Sequence, residues 1–405
     1  MKFCMVTTFY PPFNWGGDGI FIERLSRDLV NAGHEVHVIH DLDAFRLGGA
    51  NVPRDTPLEE TVDGVRVHRL RRGLLSPILT QQTGRPVLQG GDLRRILAEG
   101  FDVINFHNIS LVGGPGILKL GRAAKLFTLH EHWWVCPTHI LWKYTGELCE
   151  QPACLRCCLA QRTPPQAWRR ATGWMARCLA HVDQVLAPSR FTAGRYQAWM
   201  DEQGVEVPVE ILPGFAPAPH PAAARASDLP DRYFLYVGRL TAAKGVLDLA
   251  DIFARRPEWS LVVVGAGEAR GDLERRGLPN VRLRGWVGPA ELSACYARAE
   301  ALVFPSRCAE TFGLTAAEAM AHGIPVVARR AGGVEDVVSP EVGFLCAGIG
   351  DLEAGLDRLW KQPDLRARMG GCGRQRYRDH YTPAIYREGY LAAVERAVAR
   401  SFRRA

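Results

Sequence analysis

Two hydrophobic rhythms alternate along this chain. Short apolar, β-branched runs recur at 3–8, 35–40, 65–70, 102–106, 125–129 and 184–187, and again at 233–237, 261–264, 281–284, 301–304, 325–328 and 343–346. Between them lie longer stretches, such as 20–32, whose apolar positions return with helical period. Runs that are apolar throughout read as strands buried on both faces. Their alternation with helices predicts parallel sheets covered on both sides. The rhythm breaks at Phe215-Ala216-Pro217-Ala218-Pro219-His220-Pro221, a Pro/Ala-rich linker, and then restarts. The expectation is therefore an α/β protein of two doubly wound, Rossmann-like halves, 1–215 and 216–381. Ligands in such sheets bind at the carboxyl ends of strands, so two halves facing each other would form a cleft. A final stretch, 382–405, carries helical periodicity through Tyr386, Tyr390, Ala393, Val394 and Ala397.

Composition narrows this picture. With 405 residues and 47% hydrophobic content there is material for two cores. No apolar run is long enough to span a bilayer. The first residues, Met1-Lys2-Phe3-Cys4-Met5-Val6-Thr7-Thr8, are cut off by Pro11-Pro12 and read as a buried first strand, not a secretory signal. A cytoplasmic location is expected. The net charge of +7 favours anionic partners, namely nucleotide diphosphates or an anionic membrane surface. Nucleic acid ranks last, because the basic residues are scattered and no recognition helix or stacking motif stands out. Of the 50 basic residues only six are lysines, among them Lys244. Eleven cysteines without an export signal argue against a disulfide framework.

The most informative run is Glu310-Thr311-Phe312-Gly313-Leu314-Thr315-Ala316-Ala317-Glu318. A Gly-led turn into a helix aims backbone N–H groups and the helix dipole at a phosphate. Two carboxylates spaced across that turn can grip hydroxyls on either side of the phosphate: a sugar on one side, a ribose on the other. Taken singly, each has an ordinary reading, Glu310 as a loop acid and Glu318 as a first-turn acid favoured by the dipole. Upstream, Val237-Gly238-Arg239-Leu240-Thr241-Ala242-Ala243-Lys244-Gly245 leads from a strand into a helix. Arg239 and Lys244 suit a diphosphate leaving group, though alone they would read as a solvated basic loop. Gly16-Gly17-Asp18-Gly19 follows the first strand and allows close backbone approach to a phosphate. His130 and His107 stand at strand ends, where a histidine hydrogen-bonds a sugar or steers an acceptor; the competing reading is a buried, satisfied imidazole.

Two further features stand apart. Cys136, Cys149, Cys154 and Cys157, with Cys158 adjacent, lie in a cysteine-rich insertion at about 136–158. Four thiolates suit a structural zinc tetrahedron, and a metal-free cysteine loop is the alternative. The stretch 162–179, with Trp168, Arg169, Arg170, Trp174, Met175 and Arg177, mixes basic and aromatic residues. It reads either as an interfacial membrane helix or as a helix packed on its own domain.

These motifs together resemble glycosyltransferase family 4, the retaining enzymes of GT-B fold, and in particular members that build exopolysaccharide or surface glycans. The likeness is densest where Val237-Gly238-Arg239…Lys244-Gly245, Gly265-Ala266-Gly267, Arg284-Gly285-Trp286 and the Glu310…Glu318 run follow in the family's order. Tyr10-Pro11-Pro12…Gly16-Gly17 and Thr128-Leu129-His130-Glu131-His132 support it in the first half. The resemblance implies that Gly238, Arg239 and Lys244 hold the donor diphosphate. Glu310 would contact the donor hexose, with the N–H groups of Phe312, Gly313 and Leu314 nearby, and Glu318 would bind ribose. The backbone near Trp286 and Val287 would frame the base. His130 would lie beside the transferred sugar, Gly16 and Gly17 would close on the phosphates, and the tail helix would return to the first domain.

On this reading the donor is a nucleoside-diphosphate sugar and the acceptor a glycan or lipid-linked sugar. No cofactor is required for catalysis, and a peripheral site on the inner face of the plasma membrane is implied. Pro213-Gly214-Phe215 replaces the Asn-Gly common in relatives, which touches the hinge only. The alternatives are a GT-B sugar epimerase, which would consume donor without acceptor, and a non-catalytic nucleotide-sugar binding subunit.

Overall fold

The computed structural model describes residues 1–170, 173–221 and 229–404. They group into two compact units. One comprises Met1–His139, Ala153–Leu212 and Arg387–Ala405, the other Ile140–Pro152 and Pro213–Tyr386.

The N-terminal unit carries an eight-stranded sheet: β1 (Lys2–Val6), β2 (Glu35–Asp41), β3 (Glu59–Val62), β4 (Val65–Leu70), β5 (Val103–Phe106), β6 (Ala124–Thr128), β7 (Gln184–Ala187) and β8 (Val209–Ile211). Its spatial order is β3-β4-β2-β1-β5-β6-β7-β8, parallel except for the β3–β4 pair. The chain reverses its direction of winding between β1 and β5, and the carboxyl ends of those strands frame a crevice. Phe3, Cys4, Met5 and Val6 are fully buried, as expected of a central strand covered on both faces.

The C-terminal unit repeats the plan with β9 (Phe234–Val237), β10 (Leu261–Val264), β11 (Val281–Gly285), β12 (Ala301–Phe304), β13 (Val326–Arg329) and β14 (Gly343–Cys346). The order is β11-β10-β9-β12-β13-β14, all parallel, so the winding reverses between β9 and β12. A core on each side of this sheet packs Leu235, Val262 and Leu302 one way and Phe234, Leu261 and Val303 the other.

Each strand expected from the apolar runs is present. The two additional ones, β3 and β8, lie at the sheet's edges. β3 is Glu-Glu-Thr-Val, exposed throughout, and β8 has three residues, so neither leaves an apolar run to read.

The unit boundaries differ from the reading at 215 and 381. The first falls between Leu212 and Pro213, and the second falls inside the helix Pro383–Arg404. Tyr386 there packs on Phe215 with ring centroids 4.9 Å apart, whereas the Tyr390 hydroxyl accepts a hydrogen bond from Asn105 Nδ2 at 3.1 Å.

The stretch 162–179 is not one amphipathic helix. It contains a 3-10 turn, Ala167–Arg170, and a short helix, Trp174–Leu179, while residues 171 and 172 lie outside the described residues. Its tryptophans face their own unit: Trp168 Nε1 donates to the Gln81 carbonyl at 2.9 Å, and the Trp174 ring lies against Arg85 and Lys119. Among the described residues, no helix is long and apolar enough to cross a membrane.

Candidate active site

In the C-terminal unit the charged residues singled out from the sequence collect where the winding reverses. The loop after β9 is pinned on both sides: Gly238 N–H donates to the Val264 carbonyl at 3.0 Å, and Leu240 N–H to Ala266 at 2.9 Å. The Tyr236 hydroxyl donates to the Arg239 carbonyl at 2.7 Å. A single 3-10 turn, Ala242–Lys244, then delivers Lys244 and ends at Gly245, whose φ of +70° and 2.2 Å approach of an added Cβ to the Pro305 carbonyl require glycine. The loop after β12 comes to the same place. Arg307 and Cys308 N–H both donate to the Ala243 carbonyl, at 2.8 and 3.1 Å.

Glu310 is fixed through its backbone. Its N–H donates to Ala331 at 2.9 Å, and its carbonyl accepts from Gly333 at 2.7 Å. Its carboxylate meets Lys244, with Nζ to Oε1 at 2.6 Å, and accepts a short hydrogen bond from Ser306 Oγ. The two charged side chains are 23% and 13% exposed, so the pair is partly shielded yet reachable. Burial pulls the Lys244 pKa down, but the Glu310 carboxylate and Cys308 outweigh it and leave it raised. The ammonium is thus kept charged. Arg239, exposed on the same loop, adds a second cation whose charge opposes that of Lys244. Two cations on one loop favour an anion there.

Gly313, with φ of +108°, opens the helix Leu314–His322. An added Cβ would press on Val334, so the turn is closed to larger residues. The N–H groups of Phe312, Gly313 and Leu314 precede the first intrahelical hydrogen bonds, the position from which helix starts receive anions.

Glu318 is not in the first turn. It sits one turn further on and is buried at 7% exposure, with Oε2 accepting from the Tyr296 hydroxyl at 3.1 Å. Tyr296 is stacked on His322 at 4.9 Å, and His322 is itself held by Ser293 at 2.7 Å. Dipole stabilisation of an exposed first-turn acid therefore does not account for Glu318. Trp286, just past β11, is 78% exposed, while its neighbour Val287 is buried.

In the N-terminal unit the corresponding reversal holds the other candidates. Gly16 is extended and caps the helix Gly17–Asn31. Asp18 in its first turn accepts from Asn108 Nδ2 at 3.2 Å. His107 and His130 form a pair, Nδ1 to Nε2 at 2.9 Å with rings stacked, and Phe21 packs on His130 at 5.0 Å. Burial lowers the His130 pKa to about 4, against the pull of Asp18, and lowers His107 well below its ordinary value. Both rings are neutral hydrogen-bonding groups at neutral pH. Of the cysteine set, Cys136, Cys154 and Cys157 lie in this unit and Cys149 belongs to the segment grouped with the other unit; among the described residues their sulfurs do not form a group of three or more ligand atoms within 4.8 Å of one another.

Ser306, Tyr296 and Asn108 were not visible as site residues beforehand. Ser306 lies four positions before Glu310 at a strand's carboxyl end, which is a usable signal. Tyr296 is 22 residues from Glu318, and only the fold joins them.

Comparison with known proteins identifies the class. The description "Glycosyltransferase Family 4" matches residues 15–213, and "Glycosyl transferases group 1" matches residues 222–376. A D-inositol 3-phosphate glycosyltransferase of Arthrobacter sp. (strain FB24) is 32% identical over 419 residues, covering 95% of this chain and 91% of that protein. A glycogen synthase of Mycobacterium tuberculosis is 28% identical over 399 residues, covering 93% and 90%. A GDP-mannose-dependent alpha-mannosyltransferase of Mycolicibacterium smegmatis is 29% identical over 355 residues, covering 84% and 82%.

Among solved structures, sucrose-phosphate synthase from Thermosynechococcus elongatus superposes with a TM-score of 0.71 at 19% identity, covering 97% of this chain and 98% of that one. Anabaena HepE in complex with UDP-glucose superposes at 0.65 and 15%, covering 98% and 99%. The two parallel-sheet units are those of a GT-B glycosyltransferase. The chain belongs to glycosyltransferase family 4.

Proposed function

We propose that this glycosyltransferase moves a hexosyl unit from a nucleoside-diphosphate sugar to a glycan or lipid-linked sugar acceptor in polysaccharide biosynthesis, with retention at the anomeric carbon. The observation that carries the reading is the Lys244–Glu310 pair beside Arg239, set at the winding reversal of the C-terminal sheet. In the reaction, the bond from the anomeric carbon to the diphosphate oxygen breaks with its electron pair on the diphosphate. Arg239 and Lys244 offset that growing charge, and the N–H groups of Phe312, Gly313 and Leu314 add fixed dipoles. Glu310 holds the hexose hydroxyls and Glu318 the ribose. Gly238 lets the phosphates approach the backbone, and the chain at Trp286 and Val287 frames the base. For the N-terminal unit, the reading gives His130 to the transferred sugar or its acceptor and Gly16 and Gly17 to the phosphates. The acceptor hydroxyl oxygen bonds the anomeric carbon on the face the diphosphate leaves, and its proton goes to the departing diphosphate.

The activities of relatives support a sugar donor of this kind, since one is a GDP-mannose-dependent mannosyltransferase and a fold neighbour binds UDP-glucose. The reading also places the protein in the cytoplasm, peripherally on the inner face of the plasma membrane. It keeps a structural zinc on Cys136, Cys149, Cys154 and Cys157, which metal analysis of the purified protein before and after Cys154→Ser would test.

The functional test is transfer itself. With donor and an acceptor panel, the product's anomeric configuration, read by NMR, should match the donor's. Glu310→Ala and Lys244→Ala should each slow transfer by about 100-fold or more. Inverted product would overturn retention, and full activity in both variants would overturn the site. Donor consumed without acceptor would make the protein an epimerase. Donor bound but never turned over would make it a binding subunit.

A further inference from the structure

At the opposite end of the N-terminal sheet from the candidate active site, β2 and β4 bring two buried histidines together. His37 and His68 are each 1% exposed, and His37 Nδ1 lies 3.0 Å from His68 Nε2. Glu99, in the turn before β5, places Oε2 3.7 Å from the same His37 Nδ1. The three ligand atoms lie within 4.8 Å of one another. A plain hydrogen bond between two imidazoles is the ordinary reading, but the outer nitrogens make it an awkward one.

His37 Nε2 lies 2.9 Å from Glu35 Oε1, a carboxylate that requires an N–H there. A neutral imidazole has one N–H and one lone pair, so the His37 lone pair points inward at His68 Nε2. His68 Nδ1 faces Glu59 Oε1 at 3.5 Å and has no hydrogen-bond partner among the described residues. If His68 puts its proton on Nε2 to bond His37, its Nδ1 lone pair is left facing the Glu59 carboxylate. If it puts the proton on Nδ1, toward Glu59, two lone pairs face each other across 3.0 Å. Neither tautomer satisfies the group. A metal ion beside the inner nitrogens takes up both lone pairs: each histidine then gives its outer N–H toward a carboxylate, the arrangement that orients metal-bound imidazoles.

We propose that His37 Nδ1, His68 Nε2 and Glu99 Oε2 form a binding site for a divalent transition metal of the zinc type, with Glu35 and Glu59 orienting the two rings. The spacing of the two histidines suits it. Two ligands about 2.05 Å from a tetrahedral zinc sit about 3.3 Å apart, within a few tenths of an ångström of the observed separation. The surrounding charge also suits it. Lys2 reaches Glu35 at 3.2 Å, Arg66 reaches Glu59 at 3.2 Å and Glu99 at 4.0 Å, and Arg95 reaches Glu59 at 3.8 Å. Three cations thus face three carboxylates, so an incoming dication meets a balanced shell and two neutral nitrogens. The metal would tie β2, β4 and the entry to β5 together away from the proposed chemistry, so its role is to brace the sheet.

The test uses the full chain after chelator treatment, titrated with Co2+ and followed by visible absorption and calorimetry. The site should take up one cobalt without thiolate charge-transfer absorption, which separates it from any metal on the cysteines, and Cys154→Ser should leave this equivalent unchanged. Glu99→Gln should weaken the binding at least tenfold. Glu59→Gln should weaken it about 10- to 100-fold through the ring it orients. Circular dichroism checks that each variant is folded, which the partly exposed positions of Glu99 and Glu59 favour. No thiolate-free cobalt uptake by the parent chain, or equal affinity in Glu99→Gln, overturns the proposal and leaves a hydrogen-bonded histidine pair.

Discussion

Lys244 Nζ lies 2.6 Å from Glu310 Oε1, although the two residues stand 66 positions apart in the sequence. Their meeting follows from topology, because β9 and β12 are neighbours and each is followed by a loop at its carboxyl end. The Ala243 carbonyl accepts from both Arg307 and Cys308 and locks the loops in register. Replacing Glu310 by Gln keeps the shape and removes the charge that outweighs the burial of Lys244. The account predicts slower transfer, by about 100-fold, with the fold retained. Steady-state kinetics and circular dichroism on Glu310→Gln check this.

Glu318 depends on Tyr296. The hydroxyl donates to a carboxylate that is nearly enclosed, and hydrogen bonds to charged groups contribute about 1.5–3 kcal/mol. Tyr296→Phe should lower stability by an amount in that range and raise KM for the donor more than it lowers kcat, since Glu318 is assigned to ribose binding. Urea denaturation and donor titration would show both effects. An unchanged KM would remove Glu318 from the ribose.

Gly265 supports the phosphate loop from behind. Its φ is +140°, and an added Cβ would stand 1.9 Å from the Gly238 carbonyl. Gly265→Ala must therefore push the Gly238 backbone out of place, at a cost of about 1–3 kcal/mol. Donor affinity should fall with it. Gly371→Ala, in the helix Pro363–His380 with nothing within 4 Å of the new methyl, is the control and should lower neither.

Acid should destabilise the N-terminal unit through buried histidines. His40 is fully buried between Tyr10 and Phe13, and neither ring nitrogen has a hydrogen-bond partner among the described residues. Burial, with the nearby Arg69 charge, lowers its pKa to about 3, against about 6.5 in an unfolded chain. The unfolded state therefore binds the extra proton first. The stabilising effect is complete above about pH 6.5 and is lost as pH falls toward 3, by up to about 1.4 kcal/mol per pH unit. Asp41 next to it acts in the opposite sense, its pKa raised by burial to about 7. The difference between wild type and His40→Phe isolates the histidine: urea midpoints of the variant should fall less steeply from pH 6.5 to 4.

Much of this architecture was legible in the sequence because parallel strands buried on both faces leave unbroken apolar runs. Residues 234–237 and 261–264 are examples. β3 escaped because an exposed antiparallel edge strand has no need of apolar residues. Arg239, Lys244 and Glu310 could be singled out as candidates because they lie in the segments that follow β9 and β12, and glycine marks the turns at 245 and 313. Two kinds of feature were not legible. Contacts such as Tyr296–Glu318 and His37–His68 join distant segments and leave no local spacing. The stretch 162–179 has a helical composition, yet its tryptophans are taken up by Gln81, Arg85 and Lys119 from elsewhere in the unit, and tertiary packing prevails over local periodicity.

The proposed donor site is the Arg239, Lys244 and Glu310 group, which should receive a nucleoside-diphosphate sugar. Thermal unfolding of the purified chain with UDP-, GDP- and ADP-sugars, beside Lys244→Ala, decides it. A ligand at 100 times its Kd stabilises the folded state by about 2.7 kcal/mol. The account predicts a clear upward shift with one nucleotide class that is lost in Lys244→Ala. No shift with any of the three, or an equal shift in the variant, would contradict it.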